Sequence, residues 1–234
     1  MAGATIQRRG QSGYGRRSGD ADFGGAPGCV YTGTMEHEGF QLFPAALDEA
    51  AQKDLRQAVL AATREAPLFA PVTPGGKPMS VRTTNLGPLG WITDARGYRY
   101  EPCHPGTGRP WPPMPPALLA LWDRLTGARA PPDACLVNVY GPEARMGLHQ
   151  DRDEADFIFP VLSVSLGDTA IFRLGGPKRG DPSRTLRLAS GDVCLLAGPA
   201  RLWFHGIDRI LPGSSRLIDG GGRINLTLRR ARPG

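Results

Sequence analysis

The run "RINLTLR", Arg223 to Arg229, alternates polar and apolar residues without a break. In an extended strand this puts Arg223, Asn225, Thr227 and Arg229 on one face and Ile224, Leu226 and Leu228 on the other. Two arginines on one pocket-facing strand are costly unless anions compensate them, and a guanidinium fork matches a carboxylate geometrically. The pair could therefore hold the two ends of a dicarboxylate.

Upstream, the chain from Asp133 reads as short β-prone runs separated by turn signals: "CLVNVY", "FIFPVLSVSL", "TAIFRL", "TLRLA", "DVCLLAG" and "LWFHGI". Without helical segments between them, they predict a mainly β fold, an antiparallel sandwich or barrel of the jelly-roll kind, over about residues 133–230. In "CLVNVY", Asn138 and Tyr140 flank Val139 and share a face, so their polar groups could meet the same ligand as the arginine strand.

Between these runs lies "GLHQDRDE", Gly147 to Glu154, where His149 and Asp151 at i and i+2 project to the same side of an extended segment and could grip one ion. The chain has four histidines, and His205, at the end of "RLWFHG" in the same β region, is the candidate third ligand. Two histidines and a carboxylate form the facial set that leaves positions open on Fe(II) for a co-substrate and oxygen. Taken alone, the H-x-D triplet also suits zinc hydrolases.

The N-terminal half is different in texture. Leu47, Ala51, Leu55, Ala58 and Ala62 recur at helical steps and predict a helix over residues 44–65 with Pro44 in its first turn. Leu118, Leu121, Trp122 and Leu125 predict a second, over residues 116–125. Between them, residues 69–115 are rich in Gly and Pro and carry Trp91, Tyr98, Tyr100 and Trp111, which suggests loops and short hairpins that form a substrate cover. Residues 1–28, with Arg8, Arg9, Arg16 and Arg17, lack apolar periodicity and are expected to be a disordered tail. The rest, residues 29–234, is expected to be a single domain.

The net charge of +6 over 234 residues suits a polyanionic partner such as nucleic acid. No apolar run approaches the roughly 20 residues of a membrane span, and the N-terminus lacks the apolar core of a secretory signal, so a cytoplasmic protein is expected. Cys29, Cys103, Cys135 and Cys194 form no C-x-x-C pair and read as reduced, mostly buried thiols. No long heptad appears, and a monomer is expected.

The order H-Q-D at His149 to Asp151, the later His205, and R-I-N-L-T-L-R at Arg223 to Arg229 resembles the signature of the AlkB family of Fe(II) and 2-oxoglutarate dioxygenases. The likeness extends through "GWITDARGY", "PDACLVNVY", "LHQDRDE", "SVSLGDTAIFRLGG" and "KRGDPSR", from about Met79 to Arg229. It implies a double-stranded β-helix, a version of the jelly roll, with flanking helices and a nucleotide-recognition lid in the N-terminal part. It also implies that His149, Asp151 and His205 ligate iron. By the same likeness Arg223 would pair with the distal carboxylate of 2-oxoglutarate and Arg229 would lie near its metal-proximal carboxylate. Asn138, Tyr140, Asn225 and Thr227 would complete that pocket.

In the lid, Trp91 resembles the residue that stacks on a flipped base opposite His149, Tyr98 to Tyr100 and Arg179 resemble substrate contacts, and Asp153 resembles the carboxylate that reads the base edge, with Glu154 beside it also expected to favour a cationic base. The implied activity is oxidative removal of alkyl groups from bases such as 1-methyladenine and 3-methylcytosine, with O2 as co-substrate. DNA, single-stranded by preference, is the expected substrate, with RNA possible. A base dioxygenase of RNA or tRNA, a protein hydroxylase of the same fold, and a non-catalytic nucleic-acid-binding module are the alternatives. The Gly-rich "LIDGGGR" and the long tail depart from the family pattern and leave the register just before Arg223 open.

Overall fold

The computed structural model describes residues 35–233. The tail expected over residues 1–28, with its arginines, and Cys29 lie outside the described residues. In chain order the elements are β1 (Met35–His37), β2 (Phe40–Phe43), α1 (Glu49–Glu65), β3 (Arg82–Leu86), β4 (Gly90–Asp94), β5 (Gly97–Glu101), α2 (Pro116–Thr126) and β6 (Ala134–Tyr140). Then come β7 (Met146–His149), β8 (Val161–Gly167), β9 (Thr169–Leu174), β10 (Arg184–Leu188), β11 (Val193–Leu196), a 3-10 turn (Gly198–Leu202), β12 (His205–Leu211) and β13 (Arg223–Arg229).

Two antiparallel sheets face each other, one in the order β1-β2-β11-β8-β13-β6-β3 and the other in the order β10-β9-β12-β7. Between them Phe40, Leu42, Cys194 and Leu196 from the large sheet meet Phe172, Leu174, Leu186, Leu188 and Ile207 from the small one. This is the jelly roll that the short β-runs predict. The strand alternation also explains where the helices lie. Val137, Leu162, Val164, Leu195, Ile224, Leu226 and Leu228 point out of the back of the large sheet and pack on Leu55, Val59, Leu118, Leu121 and Trp122 of the two helices. Truncating Leu118, which is wholly buried there, to Ala would cost about 2–5 kcal/mol.

Several boundaries differ from expectation. The first helix begins at Glu49, not Pro44, because Asp48 caps it by accepting a hydrogen bond from the Ala51 N–H at 2.8 Å. Before the cap, Ala45 has a positive φ of 47° and donates its N–H to Asp192, which ties this turn to the start of β11. β8 starts only at Val161, after Pro160, and the "LWF" of "LWFHGI" closes a 3-10 turn before β12. The large sheet also reaches beyond residues 133–230: β2 pairs with β11, and β3, from the segment expected to be lid, pairs with β6. Of the lid segment, the hairpin β4–β5 stands apart as its own two-stranded sheet.

The register before Arg223 is fixed by Asp168. Its buried carboxylate accepts the N–H groups of Gly222 and Ser215, while its own N–H donates to Gly222 O. Gly220, Gly221 and Gly222 all have positive φ, and a Cβ on Gly222 would lie 2.9 Å from Tyr140 O. The "GGG" of this chain is therefore the turn that feeds β13 into the sheet centre at one register.

Candidate active site

A cavity of about 640 Å³ opens between the two sheets under the β4–β5 hairpin. The polar face of β13 forms its floor: Arg223, Asn225, Thr227 and Arg229 all line it, as do Asn138 and Tyr140 of the neighbouring β6. Period-two alternation thus places the expected residues together.

At one side of the cavity, β7 and β12 pair so that His149 and His205 are directly opposed, with ring centroids 4.6 Å apart. Asp151 follows two residues after the end of β7. One ligand atom from each of the three residues lies within 4.8 Å of the others. Both imidazoles are oriented from behind: Nδ1 of His149 meets Gly147 O at 2.9 Å and Nδ1 of His205 meets Trp203 O at 3.0 Å. A proton on each Nδ1 leaves the Nε2 lone pairs turned toward Asp151, at 3.6 and 3.8 Å from its oxygens. This backbone support fixes the tautomer that a metal needs. Burial, chiefly, pulls the pKa of His205 down to about 4, so the ring is neutral near pH 7. Burial would raise the Asp151 carboxyl, but Arg229 and the two histidines outweigh it and hold the group well below the usual carboxylate range. The donor set is one that a divalent transition metal fits.

The two arginines differ. Arg223 is buried, and among the described residues its Nη1 and Nη2 donate only to Leu188 O and the Ser165 hydroxyl, at 3.1 and 2.7 Å. Its Nε, like Oδ1 of Asn138, has no hydrogen-bond partner among the described residues. Burial pulls the Arg223 pKa down, the mark of a cation lacking a close counter-charge. Such a group inside a cavity fits a carboxylate ligand. Arg229 already has its anions: Nη2 is 2.8 Å from Asp151 Oδ2 and Nε is 3.3 Å from Glu154 Oε1. Asn225 and Thr227 are also engaged internally, Asn225 with Ser163 and Val164 O, and Thr227 with Asn225.

The hairpin supplies the roof. Trp91 and Tyr100 are cross-strand partners, Tyr98 lies two residues from Tyr100, and all three face the cavity. The Trp91 and Tyr98 rings stack at 5.6 Å and 15°, and the Trp91 Nε1–H donates to Asp153 at 2.8 Å. Tyr100 donates its hydroxyl to Glu154 at 2.6 Å, and burial pushes its pKa well up. Arg179 sits at the mouth, donating to Leu148 O and lying 4.9 Å from the centroid of the Phe204 ring. Trp111 is instead buried in a small satellite core with Ala66 and Ile92. His104, also buried, is structural: Gly106 and Thr107 N–H groups donate to its Nδ1.

Sequence reasoning missed Ser163, Ser165 and Arg201. The serines sit on the cavity face of β8, and alternation within "VLSVSLG" is the signal that could have found them. Arg201, in the 3-10 turn, carries no such signal.

A jelly roll with two histidines and an aspartate at one wall and a buried, unpaired arginine on its floor defines an Fe(II)- and 2-oxoglutarate-dependent dioxygenase, and residues 39–229 match the 2OG-Fe(II) oxygenase superfamily. Within it the chain belongs to the AlkB family. It is 68% identical over 194 residues to the alpha-ketoglutarate-dependent dioxygenase AlkB homolog of Caulobacter vibrioides, covering 83% of this chain and 88% of that one. It is 49% identical over 172 residues to alpha-ketoglutarate-dependent dioxygenase AlkB of Escherichia coli, covering 71% and 79%. The solved structure of OsALKBH1 superposes with a TM-score of 0.74 at 30% identity, covering 85% of this chain and all of that one.

Proposed function

We propose that this oxidative dealkylase of nucleic-acid bases acts on N-methylated bases such as 1-methyladenine and 3-methylcytosine, with single-stranded DNA as its preferred substrate and RNA as a second. The observation that carries this reading is the single cavity that joins the histidine–aspartate cluster, the unpaired Arg223 and a roof of stacked aromatic rings. When bound, iron, 2-oxoglutarate and O2 would supply the oxidation: 2-oxoglutarate becomes succinate and CO2 with one oxygen atom of O2, the other hydroxylates the N-alkyl carbon, and the hemiaminal then releases formaldehyde and the free base.

The chain's own residues bind, orient and exclude water. His149, Asp151 and His205 would hold the iron, with both imidazoles kept in the ligating tautomer by Gly147 O and Trp203 O. Arg223 would grip the far carboxylate of 2-oxoglutarate through its free Nε, and Asn138 and Tyr140 would line the same arm. Burial pushes the Tyr140 hydroxyl up to about 12, which keeps it a neutral donor. Asn225 and Thr227 would brace that floor. Arg229 would neutralise the metal loop rather than clasp the co-substrate, since Asp151 and Glu154 already occupy it.

Trp91 would stack on the flipped base, Tyr98 and Tyr100 would shape the roof, Asp153 would exchange its bond from Trp91 for the edge of the cationic base, and Arg179 would meet the strand at the mouth. Glu154 differs from Asp153: it is 7% exposed and held by two arginines, so it does not attract the base as a free charge. Bases in a single strand are cheaper to unstack, which supports the strand preference. The described residues form one dioxygenase domain with β4–β5 as its lid. We place it as a monomer in the cytosol. Cys103, Cys135 and Cys194 are free thiols. No described helix is long and apolar enough to cross a membrane.

The test is mass spectrometry of a single-stranded DNA carrying one 3-methylcytosine, incubated with protein, Fe(II), 2-oxoglutarate and air. Loss of one methylene mass is expected with the wild type and not with His149→Ala. Consumption of 2-oxoglutarate without that loss would overturn the substrate assignment; matched RNA and peptide substrates would then identify the right one.

A further inference from the structure

Glu154 stands where the roof, the metal loop and the last strand meet. Its carboxylate accepts the Tyr100 hydroxyl of β5 at 2.6 Å, lies 3.0 Å from Arg201 Nη2 and is 3.3 Å from Arg229 Nε. Its side chain is only 1% exposed. Each of the two arginines also reaches Asp151. Arg201 Nη1 donates to the Asp151 backbone carbonyl at 2.6 Å, while its Nε donates to Phe159 O at 2.8 Å. Arg229 Nη2 donates to the Asp151 side chain at 2.8 Å. Asp151 and Glu154 are thus clamped together twice, once through backbone and once through side chain, in a buried group of two cations and two anions.

The roof holds the same loop at two consecutive residues. Trp91 and Tyr100, opposite each other on the hairpin, bond to Asp153 and Glu154 respectively. The Trp91–Asp153 bond is exposed, whereas the Tyr100–Glu154 bond is partly buried. The first can open for a base and the second remains.

We propose that Glu154 is a positioning residue: through Arg201 and Arg229 it sets the orientation of Asp151, and through Tyr100 it anchors the lid hairpin to the metal loop. This rests on the reading of Asp151 as a metal ligand. Without the Glu154 charge the two arginines keep Asp151 as the one carboxylate of this group, and the loop carrying that ligand loses its second clamp.

The test uses the full chain and Co(II) as the probe, with affinity and the visible absorption of the bound ion as readouts. Glu154→Gln, which keeps the shape and removes the charge, should weaken Co(II) binding by about tenfold and alter the spectrum, as loss of an outer support does. Tyr100→Phe should leave Co(II) affinity within about threefold of the wild type but speed hydrogen exchange of the β4–β5 amides, by loss of one partly buried hydrogen bond. Wild-type Co(II) affinity and spectrum in Glu154→Gln, whatever its melting temperature, would overturn the positioning role. Unchanged hairpin exchange in Tyr100→Phe would overturn the anchor. If instead His149→Ala bound Co(II) as well as the wild type, the metal-site reading itself would fall.

Discussion

The two ends of β13 carry the same side chain in opposite electrostatic settings. At one end Arg229 lies between two carboxylates that belong to the protein; at the other Arg223 is equally buried, yet its polar contacts are a carbonyl and a hydroxyl. The first arginine completes the fold. The second has no carboxylate beside it, and on the proposed reading a bound co-substrate supplies the charge. Burial of a cation can therefore serve structure at one end of a strand and suit a ligand six residues away, and the partners rather than the residue type tell the two settings apart.

This contrast can be broken most forcefully at Arg229. Arg229→Met leaves Asp151 without its close cation and weakens the hold on Glu154, and the protein should lose about 3–5 kcal/mol of stability in urea unfolding. Acid sharpens the point. Because Arg229 and the histidines hold the folded Asp151 carboxyl below its ordinary value of 3.8, the stability it contributes is present above that pH and lost as pH falls below it. The gap in stability between the chelator-treated wild type and Arg229→Met should shrink as pH falls and Asp151, which burial raises once Arg229 is gone, takes up its proton in the variant before the wild type. A gap that widened in acid would show that the pair does not carry the difference.

At Arg223 the order of effects should reverse. Arg223→Met removes a buried charge with no anion beside it, so unfolding stability should be unchanged or higher. The affinity for 2-oxoglutarate, measured by calorimetry, should fall at least about 30-fold, for a loss of about 2 kcal/mol or more. A variant that lost stability and kept affinity would make Arg223 another structural cation. The smallest effect is expected at Ser165, whose hydroxyl accepts from Arg223 at 2.7 Å. Ser165→Ala should weaken co-substrate binding by about 1 kcal/mol, a few-fold, with turnover at saturation preserved.

Much of this was legible in the chain. The alternation of Arg223 to Arg229 gave both faces of the central strand, because a period of two survives whatever the strand pairs with. The helical stripes at Leu55 and Leu118 were equally direct, and the H-x-D spacing foretold which residues meet. What could not be read was non-local. β3 joins the large sheet through pairing with β6, some fifty residues later in the chain, and nothing in "RTTNL" announces it. The start of α1 depended on Asp48 outcompeting Pro44 as the entry residue. In sequence Glu154 reads with Asp153 as an acid that favours a cationic base, and Arg201 as a surface charge; their burial arises only because separate loops bring them together. The resemblance to a family supplied site roles that composition could not, Arg223 for the distal carboxylate and Arg229 for the proximal one, but it did not announce the ion pairs of Arg229 with Asp151 and Glu154.

The direct opposition of His149 and His205 has a mechanical consequence. β7 is a four-residue strand at the outer edge of the small sheet, held on one side only, with a register shift beside His205. An ion shared by the two imidazoles would rivet this short edge strand to β12, so removing it should let this rim fray first while the seven-stranded sheet behind it stays closed.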